Sequence, residues 1–489
     1  MLAWRPPQPV APVAILDPVM KVTIQQKEGK AHRGKKRGKQ LASLVATGWL
    51  LAGPFSATAG QTASPARDLV LITVSSLRAD RLRPAPSSRV PAPRLDSLAA
   101  SGYLFPSART PSPGTVPALM SLFTGLDPGD HRVYAPADPG TGAPSLPEWL
   151  GAAGYTRLAF VADPEVGAMA ALKSAFDELH VHPGLPAPRL ARLAMDRAAA
   201  VPSKANLFLW IHFNDPSAPY IPPVGDLVEF LADGWNAGWR FSLPVGAGEG
   251  RPNTLPPKAV NGPMREAAFY LDAYDATVRQ ADRGIGAVWD RLSSSPRGSR
   301  SLLVVASLHG EALGEHGLWF SHGRTLYEEE VTVPLLFHGP QVRVFREIPR
   351  TPPVSLMDVF RTCAALLQAG DLSEKVPGFN MAPRLRHKGP LPNRFLYAAS
   401  LLPPFGRSLL VQGRFKVIRN ALPPPGFEDD PAWVRPLQRE FYDLLTDPLE
   451  ANPRGGEFPK TARQVDFLLR DNYPPLPGTP PADDDSRRR

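Results

Sequence analysis

Along the chain, apolar positions follow two periods. Short continuous runs (Leu69 to Val74, Thr156 to Ala162, Asn206 to Phe213, Leu302 to Ala306 and Val333 to Phe337) read as strands buried on both faces of a sheet. Between and around them apolar residues recur at spacings of three and four. Such segments span Arg94 to Ser101 (stopped by Gly102), Thr115 to Phe123, Leu146 to Ala153 and Arg189 to Ala200. The clearest is Glu266 to Leu292, where Leu271, Tyr274, Val278, Ala281, Ile285, Val288 and Leu292 share one helical face. Strands alternating with helices predict an α/β fold around a central sheet.

One strand end stands out. The run Leu302 to Ala306 leads into a polar turn, and Ser307, His309, Glu311, Glu315, His316 and His322 then fall within sixteen positions. An open α/β sheet binds its ligands outside the carboxyl ends of its strands, so this turn is the first candidate site.

Other stretches break the pattern. Leu227 to Pro263 is rich in Trp, Gly and Pro and reads as an irregular insertion over the sheet edge or the mouth of the site. Leu409 to Ile418, with Gly413 near its middle, predicts an antiparallel hairpin, and the tail from Asn472 has the composition of a disordered segment. With 59 prolines the exterior should be loop-heavy. The single cysteine, Cys363, excludes an intramolecular disulfide and, within an apolar helical segment, reads as a small buried residue.

Charge narrows the partners. Residues 1–59 hold nine Lys or Arg against two acids, so +7 of the formal +9 lies there and only +2 is left for the other 430 residues. Nothing in that remainder forms a basic stripe, which argues against a nucleic-acid partner. The leader has a basic stretch ending at Lys39, an apolar run from Leu41 to Phe55, and then Ala57-Thr58-Ala59. That order is the pattern of an export signal, predicting a periplasmic, extracellular or envelope-associated protein; the alternative is an uncleaved membrane anchor.

The motifs resemble those of the sulfatase family, within the alkaline-phosphatase superfamily. Ser307 to Gly317, S-L-H-G-E-A-L-G-E-H-G, is similar to the family's S-D-H-G-E followed by L-G-E-H-G. Leu77-Arg78-Ala79-Asp80 follows the first strand as in the family, and Tyr274, Asp275, Val278, Asp282, Ile285 and Gly286 match its long helix. His322-Gly323-Arg324 through Glu329, Asp358 with Thr362, and the closing Tyr442-Asp443-Leu444, Asp447-Pro448, Glu450 and Asn452 continue the match, from about residue 68 to 453. The resemblance implies an alkaline-phosphatase-like three-layer sandwich with a large central mixed sheet. It divides the chain into a leader (1–59), an N-terminal α/β domain (68–370), a small C-terminal subdomain (371–455) and a Pro-rich tail (456–489).

The departures fall on the chemistry. The family's metal-ligand Asp after the first strand is Ser75, the following Asp or Thr is Ser76, and the Asp of S-D-H-G is Leu308, whereas His309 is retained. The nucleophile position holds Thr115, where family sulfatases require Cys or Ser for conversion to formylglycine; its supporting Ser and Arg or His are Ala118 and Leu119. Thr115 could serve phosphate or phosphonate chemistry, or be merely the N-cap of its helix. Ser217 replaces a His that contacts substrate, and Arg324 stands where a substrate-binding Lys is common, keeping the charge with another geometry. His212 reads as a core residue. Because hard dications need oxygen ligands with charge, these changes lead to the expectation of no bound metal; the alternative is one divalent ion (Ca, Mg, Mn or Zn).

Three functions remain open. The first is an exported, catalytically degenerate family member that acts by binding an anionic glycan, a lipid or a partner protein. The second is an active, metal-dependent sulfuric or phosphoric ester hydrolase using Thr115. The third is a structural partner of an intact homologue.

Overall fold

The computed structural model describes residues 67–82, 90–248, 250–344, 354–370, 376–387, 389–402, 406–411, 413–421, 439–453, 463 and 465–469. The expected leader and the tail from Asn472 lie outside them. Among the described residues, no helix is long and apolar enough to cross a membrane.

The central sheet contains β1 (Asp68–Val74), β2 (Tyr103–Arg109), β3 (Thr156–Val161), β4 (Glu178–Val181), β5 (Leu207–Phe213), β6 (Ser301–Ser307) and β9 (Thr332–His338) in the order β2-β9-β6-β1-β5-β3-β4. β7 (Ala312–Leu313) and β8 (Trp319–Ser321) form a separate small ribbon. β1 lies parallel between β5 and β6, with Leu69 opposite Phe208 and Leu302. β9 runs antiparallel to both β2 and β6, so the sheet is mixed. The continuous apolar runs are explained by burial: every residue of β1, β5 and β6 is buried.

Alternate residues of these strands feed two cores. Leu69, Leu71, Trp210, Val304 and Leu335 face one layer, which includes α2 (Thr115–Thr124, after α1, Pro93–Ser101). Val70, Ile72, Ile211, Val305 and Leu336 face the other, which includes α3 (Ala187–Ala199) and α5 (Ala267–Ser293). The result is a helix–sheet–helix sandwich. Several matched acids prove structural. Asp282 accepts from the Leu95 and Arg94 amides at 2.8 and 3.2 Å, satisfying the first turn of α1, whose own N-cap, Ala92, has no side chain to do so. Asp358 likewise accepts from the Ser355 and Phe379 amides at 2.8 and 2.9 Å.

The predicted hairpin forms the middle of a four-stranded antiparallel sheet of β10 (Phe395–Ala399), β11 (Arg407–Val411), β12 (Phe415–Arg419) and β13 (Arg439–Asp443). Ala398, Ile418 and Tyr442 pack against Leu326, Tyr327 and Val331. A buried Lys416 crosses the same junction to reach Glu328 and Glu450, each at 2.9 Å. The stretch following His322 is thereby fixed by the small sheet.

The insertion corrects the expectation of an irregular segment. It opens with a regular helix, α4 (Val224–Asp233), ended by Gly234 in the left-handed region (φ 66°), before becoming irregular with short 3-10 turns. Its Asp226, Leu227 and Phe230 form an inward stripe that periodicity could have found, though the surrounding Pro and Gly residues obscured it.

Candidate functional site

The site is built at the carboxyl ends of β1 and β6. These neighbours are locked together past their last residues, for the Leu308 amide donates to Val74 O at 2.9 Å and the Leu77 amide to Ser307 Oγ at 3.1 Å. Ser76 sits at φ 58°, a left-handed conformation uncommon for a residue with a side chain and often found at functional sites. Tyr274 of α5 holds that turn, donating through Oη to Ser76 O at 2.7 Å and accepting from the Arg78 amide at 3.2 Å. Gly310 permits the next strand end to pass close by: a Cβ there would stand 1.8 Å from Glu329 O.

His309 is fully buried and its Nδ1 lies 2.8 Å from Gly310 O. A carbonyl can only accept, so Nδ1 carries the proton. Burial, then the neighbouring His322, hold His309 well below the ordinary histidine pKa, so Nε2 is bare. Thr115 Oγ1 donates to that nitrogen at 2.9 Å. This also corrects the N-cap expectation: Gly114 is the N-cap of α2, and Thr115 is its first helical residue with its hydroxyl turned into the site.

A second chain of contacts runs beside the first. Ser76 Oγ bonds Ser217 Oγ at 2.8 Å and approaches His322 Nδ1 at 3.4 Å. His322 Nδ1 faces Glu311 Oε2 at 3.1 Å, and its ring stacks on His309 with centroids 4.1 Å apart. Burial pushes the Glu311 carboxyl up, but His322 and then Lys258 outweigh it and leave it below its usual value. Lys258, partly exposed, comes from the insertion. So does Gly250, at φ 65°, over which the Arg324 side chain lies so closely that a Cβ would stand 2.0 Å from its Nε. The predicted cover over the mouth of the site is therefore real.

The other predicted positions lie deeper. Ser75 is buried and bonds His212 Nε2 at 3.3 Å, while Thr73 Oγ1 meets His212 Nδ1 at 2.8 Å, so His212 is a satisfied core residue. Leu308 is fully buried in the core that includes Ala118 and Leu119. Thr115, His309, Ser76 and Ser217 are thus brought together, and Ser75 and Leu308 have been absorbed into the interior. Sequence reasoning placed Glu311 and His322 in the polar turn of the candidate site but assigned neither of them a role. It gave no reason to choose Lys258, whose position depends on how the insertion folds back.

A divalent cation does not fit this donor set. Ser75 and Leu308 offer no carboxylate, and the bare nitrogen of His309 is occupied by Thr115. Among the described residues, no three or more His, Cys, Asp or Glu gather as a metal site. Lys258 and His322 stand close enough to Glu311 to lower its carboxyl, and with the partly exposed Thr115 they make the arrangement suited to an anion.

A three-layer sandwich with a mixed sheet, a small C-terminal sheet and this strand-end site defines an alkaline-phosphatase-like fold. The structure aligns with that of a protein solved with its substrate D-glucosamine-2-N,6-O-disulfate, at a TM-score of 0.65 and 16% identity over 84% of this chain and 100% of the other. It also aligns with the phosphonate monoester hydrolase of Agrobacterium radiobacter, at a TM-score of 0.62 and 16% identity over 83% and 94% of the two chains. The family model described as Sulfatase matches residues 67–369, and the chain belongs to the sulfatase family. It is 29% identical to a choline-sulfatase of Rhizobium meliloti over 37% of this chain and 33% of that one. To an uncharacterized sulfatase, YidJ, of Escherichia coli it is 26% identical over 59% and 65% respectively. The chain thus spans about a third of the choline-sulfatase and less than two thirds of the Escherichia coli relative.

Proposed function

We propose that this chain is an exported sulfatase-family protein that binds an oxyanion-bearing ligand, the sulfate or phosphate group of a glycan or lipid, without metal-dependent hydrolysis. The observation that carries the reading is the burial of Leu308 in the core at the strand end where the family resemblance places a ligand carboxylate. A dication there would meet hydrocarbon, while Lys258 supplies positive charge beside His309 and Glu311 that needs no metal. Export is supported by the order of basic, apolar and small residues in 1–59.

A second reading has one specific support. The Thr115 hydroxyl donating to His309 has the geometry of a nucleophile and its general base. Against it stands the depressed basicity of His309, which makes it a weak acceptor for the alcohol proton.

Calorimetric titration with inorganic sulfate and phosphate, together with turnover of p-nitrophenyl sulfate, p-nitrophenyl phosphate and a phenylphosphonate monoester, separates the two. Binding without turnover, weakened about tenfold or more by Lys258→Ala, is expected, since charge-assisted hydrogen bonds contribute about 1.5–3 kcal/mol. Turnover that disappears in Thr115→Val would overturn the binding-only function in favour of the second.

A further inference from the structure

Of the side chains gathered at the strand ends, Glu311 keeps an unused acceptor. It is fully buried, and its main chain is held on both sides, the amide donating to Glu329 O at 3.1 Å and the carbonyl accepting from Arg78 Nη1 at 3.0 Å. Its Oε2 faces His322 Nδ1 at 3.1 Å, whereas Oε1 is buried with no hydrogen-bond partner. Buried acids elsewhere in the fold use both oxygens. Asp282 accepts from the Leu95 and Arg94 amides, and Glu330 accepts from the Gly323 amide through Oε2 and from the Thr325 hydroxyl through Oε1. Because buried polar atoms seldom lack a partner, an exception is a place to look for function. This one lies at the anion site: His322 Nδ1 is 3.4 Å from Ser76 Oγ, the His322 ring stacks on His309, and Lys258 of the insertion is close enough to act on both His309 and Glu311.

We infer that Glu311 determines the specificity of the site, its free Oε1 accepting the P–OH proton of a phosphate group and so selecting protonated phosphate, as the free ion or as the monoanion of a monoester, against sulfate. The inference rests on the anion-binding function proposed above and names the anion. The neighbouring groups treat the two alike. The hydroxyls of Ser76, Ser217 and Thr115 rotate and the Lys258 ammonium donates, so each can serve any tetrahedral oxyanion. An ionised carboxylate can only accept. Beside sulfate, which has no proton near neutral pH, Oε1 would face another acceptor and stay unpaired. Beside a phosphate that keeps a proton it gains a charge-assisted O–H···O bond. A site built to hydrogen-bond a group rejects the analogue that lacks it, because its own buried atom is then left without a partner.

The test is calorimetric titration of the full chain at about pH 6, where sulfate and selenate carry no proton while phosphate, arsenate and about half of a phosphate monoester do. The probes are paired: phosphate with sulfate, arsenate with selenate, and glucose 6-phosphate with glucose 6-sulfate. The parent should bind the protonated member of each inorganic pair about tenfold or more tightly, although that member carries less charge. Preference within the inorganic pairs alone assigns the site to the free ion, and preference within the sugar pair as well extends it to a monoester. Glu311→Gln keeps size and shape but presents an amide that can donate, so the preference should fall about tenfold or more toward equality. Equal affinity of the parent for both members of each inorganic pair overturns the inference and leaves the anion-binding function standing; this comparison needs no variant to fold. A folded Glu311→Gln that weakens every anion equally overturns it too, since Glu311 would then only support the turn. A parent that binds none of these probes overturns the anion-binding function itself, and the inference with it.

Discussion

Replacing Leu308 by Asp tests the reading of the site most directly, because the same atom positions must change from core to ligand. Leu308 is fully buried among apolar neighbours. Its burial contributes about 1.5–3 kcal/mol, and an unpaired carboxylate in its place adds several kcal/mol more. The sum, about 5 kcal/mol, approaches the whole stability of many folded proteins, about 5–15 kcal/mol. Leu308→Asp should therefore be severely destabilised in chelator, whereas Leu308→Asn, with no charge to bury, should lose less. Adding Ser75→Asp places a second carboxylate at the neighbouring strand end beside His212 and should worsen the apo protein further.

A dication reverses the sign only for the double variant. At a free concentration of about one hundred times its dissociation constant, a ligand of the native state adds about 2.7 kcal/mol. With an unfolding entropy of about 2.1 cal/mol/K per residue over the roughly 350 described residues, that raises the midpoint by about 4 °C. Scanning thermal stability against Ca²⁺, Mg²⁺, Mn²⁺ and Zn²⁺ reads this out, with no rise for the parent and a saturable rise for Ser75→Asp/Leu308→Asp. A parent stabilised to the same extent would refute the argument that its own donors cannot hold the ion. A folded double variant indifferent to every metal would mean that the two strand ends do not converge on one site.

Other expectations follow from single contacts. Gly310→Ala drives a methyl into Glu329 O and should lower stability by about 1–3 kcal/mol or more in urea unfolding, the range for overpacking. Lys416→Met leaves Glu328 and Glu450 facing each other without their shared ammonium and should cost about 3–5 kcal/mol, separating the small sheet's contacts from the central one; an unchanged urea midpoint would contradict this. Burial holds His131 near 4, below its unfolded 6.5, so its stabilisation is complete above pH 6.5 and is lost as pH falls toward 4. Burial raises Asp215 from 3.8 to about 6, so its stabilisation is present in acid and is lost as pH rises through 6. The two oppose each other, and Asp215→Asn should steepen the rise of stability with pH between about 4 and 6 by up to about 1.4 kcal/mol per pH unit; parallel profiles would show that Asp215 is not perturbed.

The central strands were legible because burial on both faces leaves a continuous apolar run that little else imitates. Strand β6 and its polar turn could be identified from eleven residues, Ser307 to Gly317, and the long helix α5 from its stripe of apolar residues. The antiparallel direction of β9 was not, since a buried strand reads alike whichever way it runs and only the family resemblance implied a mixed sheet. At the site, the departures of Ser75, Ser76, Leu308 and Ser217 could be seen as substitutions, but not what replaced the lost contacts. The bond from Thr115 to His309 joins residues 194 apart, and no local pattern encodes it. Lys258 was hidden for the same reason. It sits among Pro, Gly and Asn, where no period fixes register, and its proximity to Glu311 depends on the insertion being held by contacts such as that from the Asn253 amide to Gly317 O at 2.8 Å.

Those replaced contacts decide what the site can attract. A buried carboxylate persists in charged form only beside positive charge, and Glu311 is kept below its ordinary value by His322 and Lys258. At the corresponding strand ends, Ser75, Ser76 and Leu308 add no negative charge. Lys258 therefore faces the Glu311 carboxylate, and the neighbouring Glu330, pushed up to about 8 by burial, adds no full negative charge beside it. With its charged carboxylate already faced by Lys258, the opening has little to offset a dication, while an entering sulfate or phosphate group can pair with that ammonium. Lys258 belongs to the insertion whose Phe230, Leu243, Leu255 and Ala259 pack into one of the two cores, so the charge that draws an anion inward is held in place by the sandwich itself.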